Sequence, residues 1–327
     1  MALAAISCVL TGAHAVADVA AGFVAYLAVI RAGAIWESIR RWSERIANSW
    51  REWRLGPVRV ISHGTYAGVG GAVGLWIACW LGGAGNETAI LLAAAAGLIG
   101  AGLWAQFIEG SPRLLRPFGY YGGLLGVVLG ALAAPLAGST VWLVLAVYSV
   151  AGPWIQSFGR LCCLVQGCCH GRPAAPETGI EYAHPRSRVC RLAELGGTPL
   201  HATPLYSILW NVPVAMATGR LWSLHTPMHV IGGVCLILSG LGRFVEEAYR
   251  GEPQTPIVGG LRLYQWLAIG SVVAGALVTA LGHSAPAAGA GGSTWLTWSG
   301  GAVFGVLFWF ALGVDFPDSD RRFARLV

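Results

Sequence analysis

The sequence predicts an all-α, polytopic membrane protein with about nine transmembrane helices. Three observations carry that expectation. Apolar residues make up 55% of the 327-residue chain. Charged residues make up only 11%, against about 25% in soluble domains, too few to cover a water-facing globule. Mean hydropathy is +0.62, and the apolar residues fall into runs near the length that crosses a bilayer, about 20 residues. Lipid offers backbone groups no partner except one another, so such runs are helices.

In chain order the spans are expected near 2–30, 62–82, 88–108, 119–137, 139–157, 203–222, 228–248, 263–283 and 294–314. The first contains "AHA" at 13–15, which mimics a signal cleavage site. No basic segment precedes it and the apolar run continues past it, so it reads as an uncleaved helix. Residues 36–53, "WESIRRWSERIANSWREW", differ in kind. Trp36, Ile39, Trp42, Ile46, Trp50 and Trp53 recur every three or four positions, with Arg and Glu between them. That is the pattern of an amphipathic helix lying in the headgroup plane. Residues 174–202 are polar and rich in Pro and Gly, a soluble loop; 284–293, "SAPAAGAGGS", reads as a flexible linker; the tail "DFPDSDRRFARLV" lies outside the bilayer.

All 21 basic residues are arginine. A guanidinium grips phosphate through two parallel hydrogen bonds, which a lysine ammonium cannot do. In "GRFVEEAYRG" Arg243, Glu247 and Arg250 follow an i, i+4, i+7 spacing, one face of a helix at the end of an apolar span. Ionisable groups at that depth usually face an interior cavity. Two arginines with Glu247 fixing their planes would cradle a phosphate. Arg160 stands at another membrane boundary, His63 and Tyr121 are polar groups in apolar context, and His14 and Asp18 are placed to satisfy each other.

"GRLCCLVQGCCHGRP", residues 159–173, concentrates four cysteines. Cys8, Cys79 and Cys235 lie in apolar runs and read as small core residues. For Cys162, Cys163, Cys168, Cys169, His170, His184, Cys190 and His201 several readings stand open. Packing as small apolar side chains is one, a disulfide in an oxidising compartment a second, and acceptance of an acyl or alkyl group by Cys168 a third. Metal ligation is the fourth, but adjacent doublets separated by four residues do not match the C-x₂₋₄-C pairs of structural zinc. No metal and no cofactor is expected.

Taken in order, "GPVRVISHGTYAGVG", "GYYGGLLGVVLG", "GRLCCLVQGCCHGRP", "PLHATPLYSILWN", "GRFVEEAYRGEPQ" and "GLRLYQWLAIG" resemble the phosphatidylglycerol–prolipoprotein diacylglyceryl transferase family. The resemblance covers about residues 57–283 as a seven-helix core containing the polar loop 159–202. Residues 1–56 then form an added transmembrane helix plus the interfacial helix, and 284–327 a linker, an added helix and a tail. The resemblance implies transfer of a diacylglyceryl group from phosphatidylglycerol to a lipobox cysteine, with release of glycerol phosphate, at the bacterial cytoplasmic (inner) membrane. It places Arg160, Arg243, His63, Tyr121 and His170 in the chemistry. Gln166, Cys163, Cys168, Gly171, Arg172, Tyr206, Glu247 and Arg250 fall to substrate binding. Departures concern the acceptor half. His63 stands where the family has tyrosine and Tyr121 where it has histidine, as if two polar roles in one cavity were exchanged. Cys163 and Gln166 replace asparagines and Cys168 a glutamate. The acceptor is therefore a prolipoprotein thiol or another nucleophile.

The expected partners are phosphatidylglycerol or another anionic phospholipid and a lipobox-containing prolipoprotein, with no nucleic acid. The alternative is a non-enzymatic membrane protein that binds metal or lipid through the cysteine-rich loop. Sidedness is divided. Twenty of the 21 arginines fall on the face that carries the motifs, which the positive-inside rule places in the cytoplasm, whereas the resemblance places that face outside.

Overall fold

A computed structural model describes residues 16–109, 118–251, 256–289 and 291–317. Helix α1 (Val16–Ile30) breaks at Arg31 into α2 (Ala32–Ala47), at an angle of 71°. A hairpin of β1 (Glu52–Leu55) and β2 (Val58–Ile61) follows. Then come α3 (Gly64–Gly82), α4 (Glu87–Phe107), α5 (Tyr120–Leu132), a 3-10 turn at Ala134–Ala137 and α6 (Val141–Gln166). The chain continues with the one-turn α7 (Arg188–Arg191), α8 (Thr203–Ser223), α9 (Met228–Tyr249), the two-residue strands β3 (Ile257–Val258) and β4 (Leu261–Arg262), α10 (Leu263–Leu281), α11 (Trp295–Gly313) and β5 (Val314–Asp315).

Eight of the nine expected spans coincide with a helix, and the described part of the first, from residue 16, is helical as well. Among the described residues six are long and apolar enough to cross a bilayer: α3, α4, α6, α9, α10 and α11. The bent α1–α2 pair passes only when taken together, and α5 is shorter, cut off before Pro135. The protein is a multi-pass helical membrane protein. Helix α6 is the hub, packing against α3, α8 and α9, while α9 also packs on α10 and α4 on α5. Leu75, Ile90, Val144, Val147 and Ile231 are fully buried in one shared core.

Three expectations need correction. The amphipathic helix ends at Ala47 rather than 53, where Asn48 caps it and bonds back to Glu44 O. Trp50 packs with Ile61 and Val165, and Trp53 lies exposed on β1. Its apolar face roofs the polar loop: Trp36, Ile39 and Ile46 pack over Leu164, Ile180 and Leu200. Trp36 Nε1 donates to Glu177 O, Arg40 Nη1 to Gly179 O and Asn48 Nδ2 to Glu181 O. Second, the span expected to stop at 157 runs on to Gln166, so the first residues of the expected loop are helical. Between Val141 and Gln166 no glycine takes a left-handed conformation, and the first that does so after them is Gly167 (φ +71°). Third, the 284–293 stretch is tied down in the part described. Ser284 Oγ accepts from His229 N, Ala285 O from Met228 N, and Ala287 is buried. The mostly helical fold is as expected, with one small three-stranded sheet in the order β1-β2-β5. Cys8, His14 and the tail beyond 317 lie outside the described residues, and so does the side chain of Asp18.

That sheet joins the segment before α3 to the one after α11. Gly64 and Gly313 meet backbone to backbone where α3 and α11 cross, leaving no room for a Cβ on either. Beside them Arg59 Nε and Nη2 donate to the two carboxylate oxygens of Asp315 at 2.9 and 2.6 Å. Both residues are buried. Removing one partner of such a pair strands the other charge, so Asp315→Ala is expected to destabilise the protein by about 3–5 kcal/mol. Thermal unfolding in detergent reads this as a large drop in midpoint, and the double variant Arg59→Met/Asp315→Ala recovers part of it.

Candidate active site

The last two turns of α6 and the C-terminal end of α9 bring Arg160 and Arg243 to one carboxylate. Arg160 Nη2 donates to both oxygens of Glu246, at 3.0 and 3.2 Å. Arg243 Nη1 donates to Glu246 Oε1 at 3.0 Å, and its Nη2 lies 2.7 Å from Glu247 Oε1. Arg250 lies 3.6 Å from Glu246 and 3.4 Å from Glu247. Ser207 Oγ, from α8, donates to Glu246 Oε2 at 2.5 Å. Three guanidiniums thus share two carboxylates, leaving one surplus positive charge, with Glu247 only 1% exposed and Arg250 3%. Arg243 Nε is buried with no hydrogen-bond partner in the structure.

Arg250 reaches this group by another route than helix periodicity. Helix α9 ends at Tyr249, and Arg250 is its cap in extended conformation (ψ 131°). It is held there by the loop: Gly171 and Arg250 form an antiparallel bridge, with Gly251 N donating to His170 O and Arg172 N to Tyr249 O. A Cβ on Gly171 would collide with His201 O and Tyr249 O, so only glycine permits this approach.

Aromatic rings wall the cluster. The Arg243 guanidinium lies 5.0 Å from the Tyr264 ring and 5.9 Å from Tyr120. Tyr121 donates to Tyr264 O at 3.3 Å, and the two rings meet edge to face. Trp104 Nε1 donates to Tyr264 OH, which in turn donates to Glu109. A second aromatic group stands on the other side of the Gly171 bridge. His201 Nδ1 and Tyr206 OH share a hydrogen bond of 2.9 Å, Tyr249 packs against both, and the Arg172 guanidinium lies 5.7 Å from the Tyr249 ring. Partial burial, and then the charge of Arg172, hold His201 below the usual histidine pKa.

The expected residues therefore divide. Arg160, Arg243, Glu247 and Arg250 converge, with Tyr121 one ring removed. His63 stands elsewhere, wholly buried as the residue before α3, sharing a 3.3 Å hydrogen bond with Cys162 Sγ and packed edge to face on Trp50. His63 and Tyr121 thus belong to separate groups of contacts. His170 Nδ1 bonds the carbonyl of Gly171, and Gln166 is buried at the end of α6. Glu246, Ser207 and Tyr264 are additional. Glu246 had a signal in the sequence, because it lies i+3 from Arg243 and i−4 from Arg250, the separations at which helix neighbours meet.

The cysteines group more tightly than their spacing suggests. The Sγ atoms of Cys163, Cys168 and Cys169 lie within 4.8 Å of one another. All seven described cysteines are free thiols. Gly167 makes this geometry: its left-handed conformation closes α6 with Gly167 N donating to Cys163 O, and the chain reverses to lay the second doublet against the first. Hydrogen bonds with Cys163 and Cys168, and then the nearby Arg250 and Arg160 charges, draw the Cys169 thiol below the ordinary thiol range.

A bundle of membrane helices that buries an arginine–carboxylate cluster at one end defines a multi-pass membrane protein with a charged interior site. Residues 52–281 match the family model for prolipoprotein diacylglyceryl transferase, and the chain belongs to that family as a membrane transferase. It is 26% identical over 220 residues to the phosphatidylglycerol–prolipoprotein diacylglyceryl transferase of Clostridium tetani, covering 59% of this chain and 80% of that one. It is 27% identical over 184 residues to phosphatidylglycerol–prolipoprotein diacylglyceryl transferase 2 of Clostridium perfringens, covering 54% of this chain and 68% of that one.

Three structural outcomes follow from the geometry. Glu246→Gln leaves three buried guanidiniums against one carboxylate and is expected to cost about 3–5 kcal/mol, whereas Ser207→Ala removes one hydrogen bond to a charged group at about 1.5–3 kcal/mol. Gly167→Ala forces a side chain into the left-handed region at about 1–2 kcal/mol. Chemical denaturation in mild detergent ranks the three.

Proposed function

We propose that this protein transfers the diacylglyceryl group of phosphatidylglycerol to the thiol of a prolipoprotein cysteine, or to another nucleophilic acceptor, in the bacterial cytoplasmic membrane. The observation that carries this reading is the convergence of Arg160 and Arg243, from helices far apart in sequence, on one buried carboxylate. The names of the two clostridial relatives support it.

Alkyl transfer to a thiol breaks the bond between a glyceryl carbon and a phosphate oxygen, and the leaving phosphate gains negative charge. Guanidiniums already fixed in a low-dielectric interior stabilise that charge without reorganising at the moment of reaction. The surplus positive charge of the cluster matches a phosphodiester monoanion, and Arg243 Nε supplies a donor that no protein group uses. Glu246 and Glu247 hold the guanidinium planes while the site is empty of lipid. Gly171, Arg172, Tyr206 and Gln166 form the adjoining wall, where the loop crosses the end of α9. His63 and His170 remain the proposed bases for the acceptor, with Tyr121 positioning Tyr264 against Arg243.

Purified protein incubated with head-group-labelled phosphatidylglycerol and a lipobox peptide is expected to release labelled glycerol phosphate and to yield a thioether-linked diacylglyceryl peptide by mass spectrometry. Arg160→Ala and Arg243→Ala are each expected to lower the rate about 10²- to 10³-fold. Lysine at either position restores little, because an ammonium cannot reproduce the bidentate fork. Undiminished release by both alanine variants would overturn the reading.

A further inference from the structure

The three clustered thiols have the geometry of a ligand set. A zinc–sulfur bond of about 2.3 Å places sulfur atoms about 3.8 Å apart around a tetrahedral ion. Cys168 Sγ and Cys169 Sγ already lie 3.7 Å apart, and Cys163 Sγ is within 4.8 Å of both. Among the described residues no fourth His, Cys, Asp or Glu joins the group. Cys168 and Cys169 are buried and Cys163 is half-buried. The hydroxyl of Tyr182, a residue 1% exposed, has no hydrogen-bond partner in the structure and lies within electrostatic reach of all three sulfurs. Arg160 and Arg250 lie within electrostatic reach of Cys169.

We propose that Cys163, Cys168 and Cys169 hold one Zn²⁺ ion whose fourth position receives the acceptor thiol, an inference that rests on the transferase reading above. Three soft thiolates suit a d¹⁰ ion with no redox chemistry, and three protein ligands with an open position are the pattern of catalytic rather than structural zinc. Three thiolates around a divalent ion carry one net negative charge, so the surplus positive charge of the adjoining arginine cluster stays with the lipid phosphate. The acceptor S–H loses its proton on coordination, because a metal-bound thiol is deprotonated, and His170, one of the bases proposed above, takes it up. Its thiolate sulfur then forms a bond to the glyceryl carbon as the carbon–oxygen bond to phosphate breaks. The electron pair leaves with glycerol phosphate, now a phosphomonoester dianion, toward Arg160 and Arg243. The thioether product is neutral, a weaker donor, and it vacates the fourth position. No oxidant or reductant takes part.

The test uses the full chain, purified reduced in detergent and reconstituted with Zn²⁺ or Co²⁺. Elemental analysis is expected to give about one zinc per chain, retained in Cys79→Ser and lost in Cys163→Ser, Cys168→Ser and Cys169→Ser. The cobalt form is expected to show thiolate-to-cobalt charge-transfer bands and tetrahedral d–d bands that shift on adding a lipobox peptide, but not on adding its cysteine-to-serine counterpart. Stripping zinc from the wild-type chain avoids any folding defect of the variants. It is expected to slow transfer about 30-fold at pH 7, the shortfall in thiolate of an unassisted thiol of pKa about 8.5, with the loss shrinking as pH rises. A reduced chain that takes up neither ion, cysteine variants that keep full zinc, or cobalt bands indifferent to the peptide thiol would each overturn the proposal. Full-rate transfer by the stripped enzyme overturns the zinc role and leaves the transferase reading standing. A peptide-responsive metal centre without glycerol phosphate release supports the metal site and overturns the transferase reading.

Discussion

The structure turns on the burial of three guanidiniums around Glu246. Moving charges out of water costs several kcal/mol per ion, and pairing offsets that cost only when the geometry is close and the remaining hydrogen-bonding groups are occupied. Glu246 meets the condition by accepting from Arg160, Arg243 and Ser207, which stand on α6, α9 and α8. A carboxylate with partners on three helices fixes their relative depth and rotation. It also fixes the polar loop, because Arg250 reaches the cluster only as long as the Gly171 bridge holds it in extended conformation at the end of α9.

The remaining architecture protects that arrangement. Helix α2 lies over the loop, and its tryptophan, arginine and asparagine side chains satisfy loop carbonyls at Glu177, Gly179 and Glu181. Those carbonyls would otherwise compete for water near a charge cluster that depends on a low dielectric. The two ends of the described chain close against each other through Arg59 and Asp315 and the glycine contact of α3 with α11. Helix α11, which looks in sequence like an addition to a seven-helix core, therefore supports α3, the neighbour of the hub helix α6.

The spans were legible because lipid imposes one rule on all of them: apolar runs of sufficient length become helices. What lay beyond that rule depended on residues far apart in sequence. Trp50 and Trp53 continue the three-to-four residue rhythm of α2, yet Asn48 ends the helix because its side chain has loop partners 133 to 136 residues away. "SAPAAGAGGS" has the composition of a flexible linker, and its anchor His229 lies 55 residues upstream. Arg160 and Arg243 could be named from motifs, but a search for one helical face favoured Glu247 and passed over Glu246, whose decisive partner is on another helix. The cysteine doublets looked unsuited to a shared ligand because linear spacing does not register a left-handed turn at Gly167, although a glycine between two cysteine pairs is the signal that would have suggested it.

That turn also explains why the two halves of the site belong together. A cluster of thiolates is unfavourable in an apolar setting, and a cluster of guanidiniums is unfavourable there as well, but each lowers the cost of the other at short range. Gly167 and Gly171 bracket Cys168, Cys169 and His170 and carry them past the end of α9, so the reversal that gathers the sulfurs is the same reversal that delivers the loop to Arg250. A carboxylate at position 168, as the family resemblance leads one to expect, would be permanently charged beside those arginines. A thiol there is neutral until a metal or a proton acceptor engages it. Replacing the carboxylate by a thiol thus exchanges a fixed charge for one that appears on demand, in the loop that the Gly171 bridge ties to Arg250.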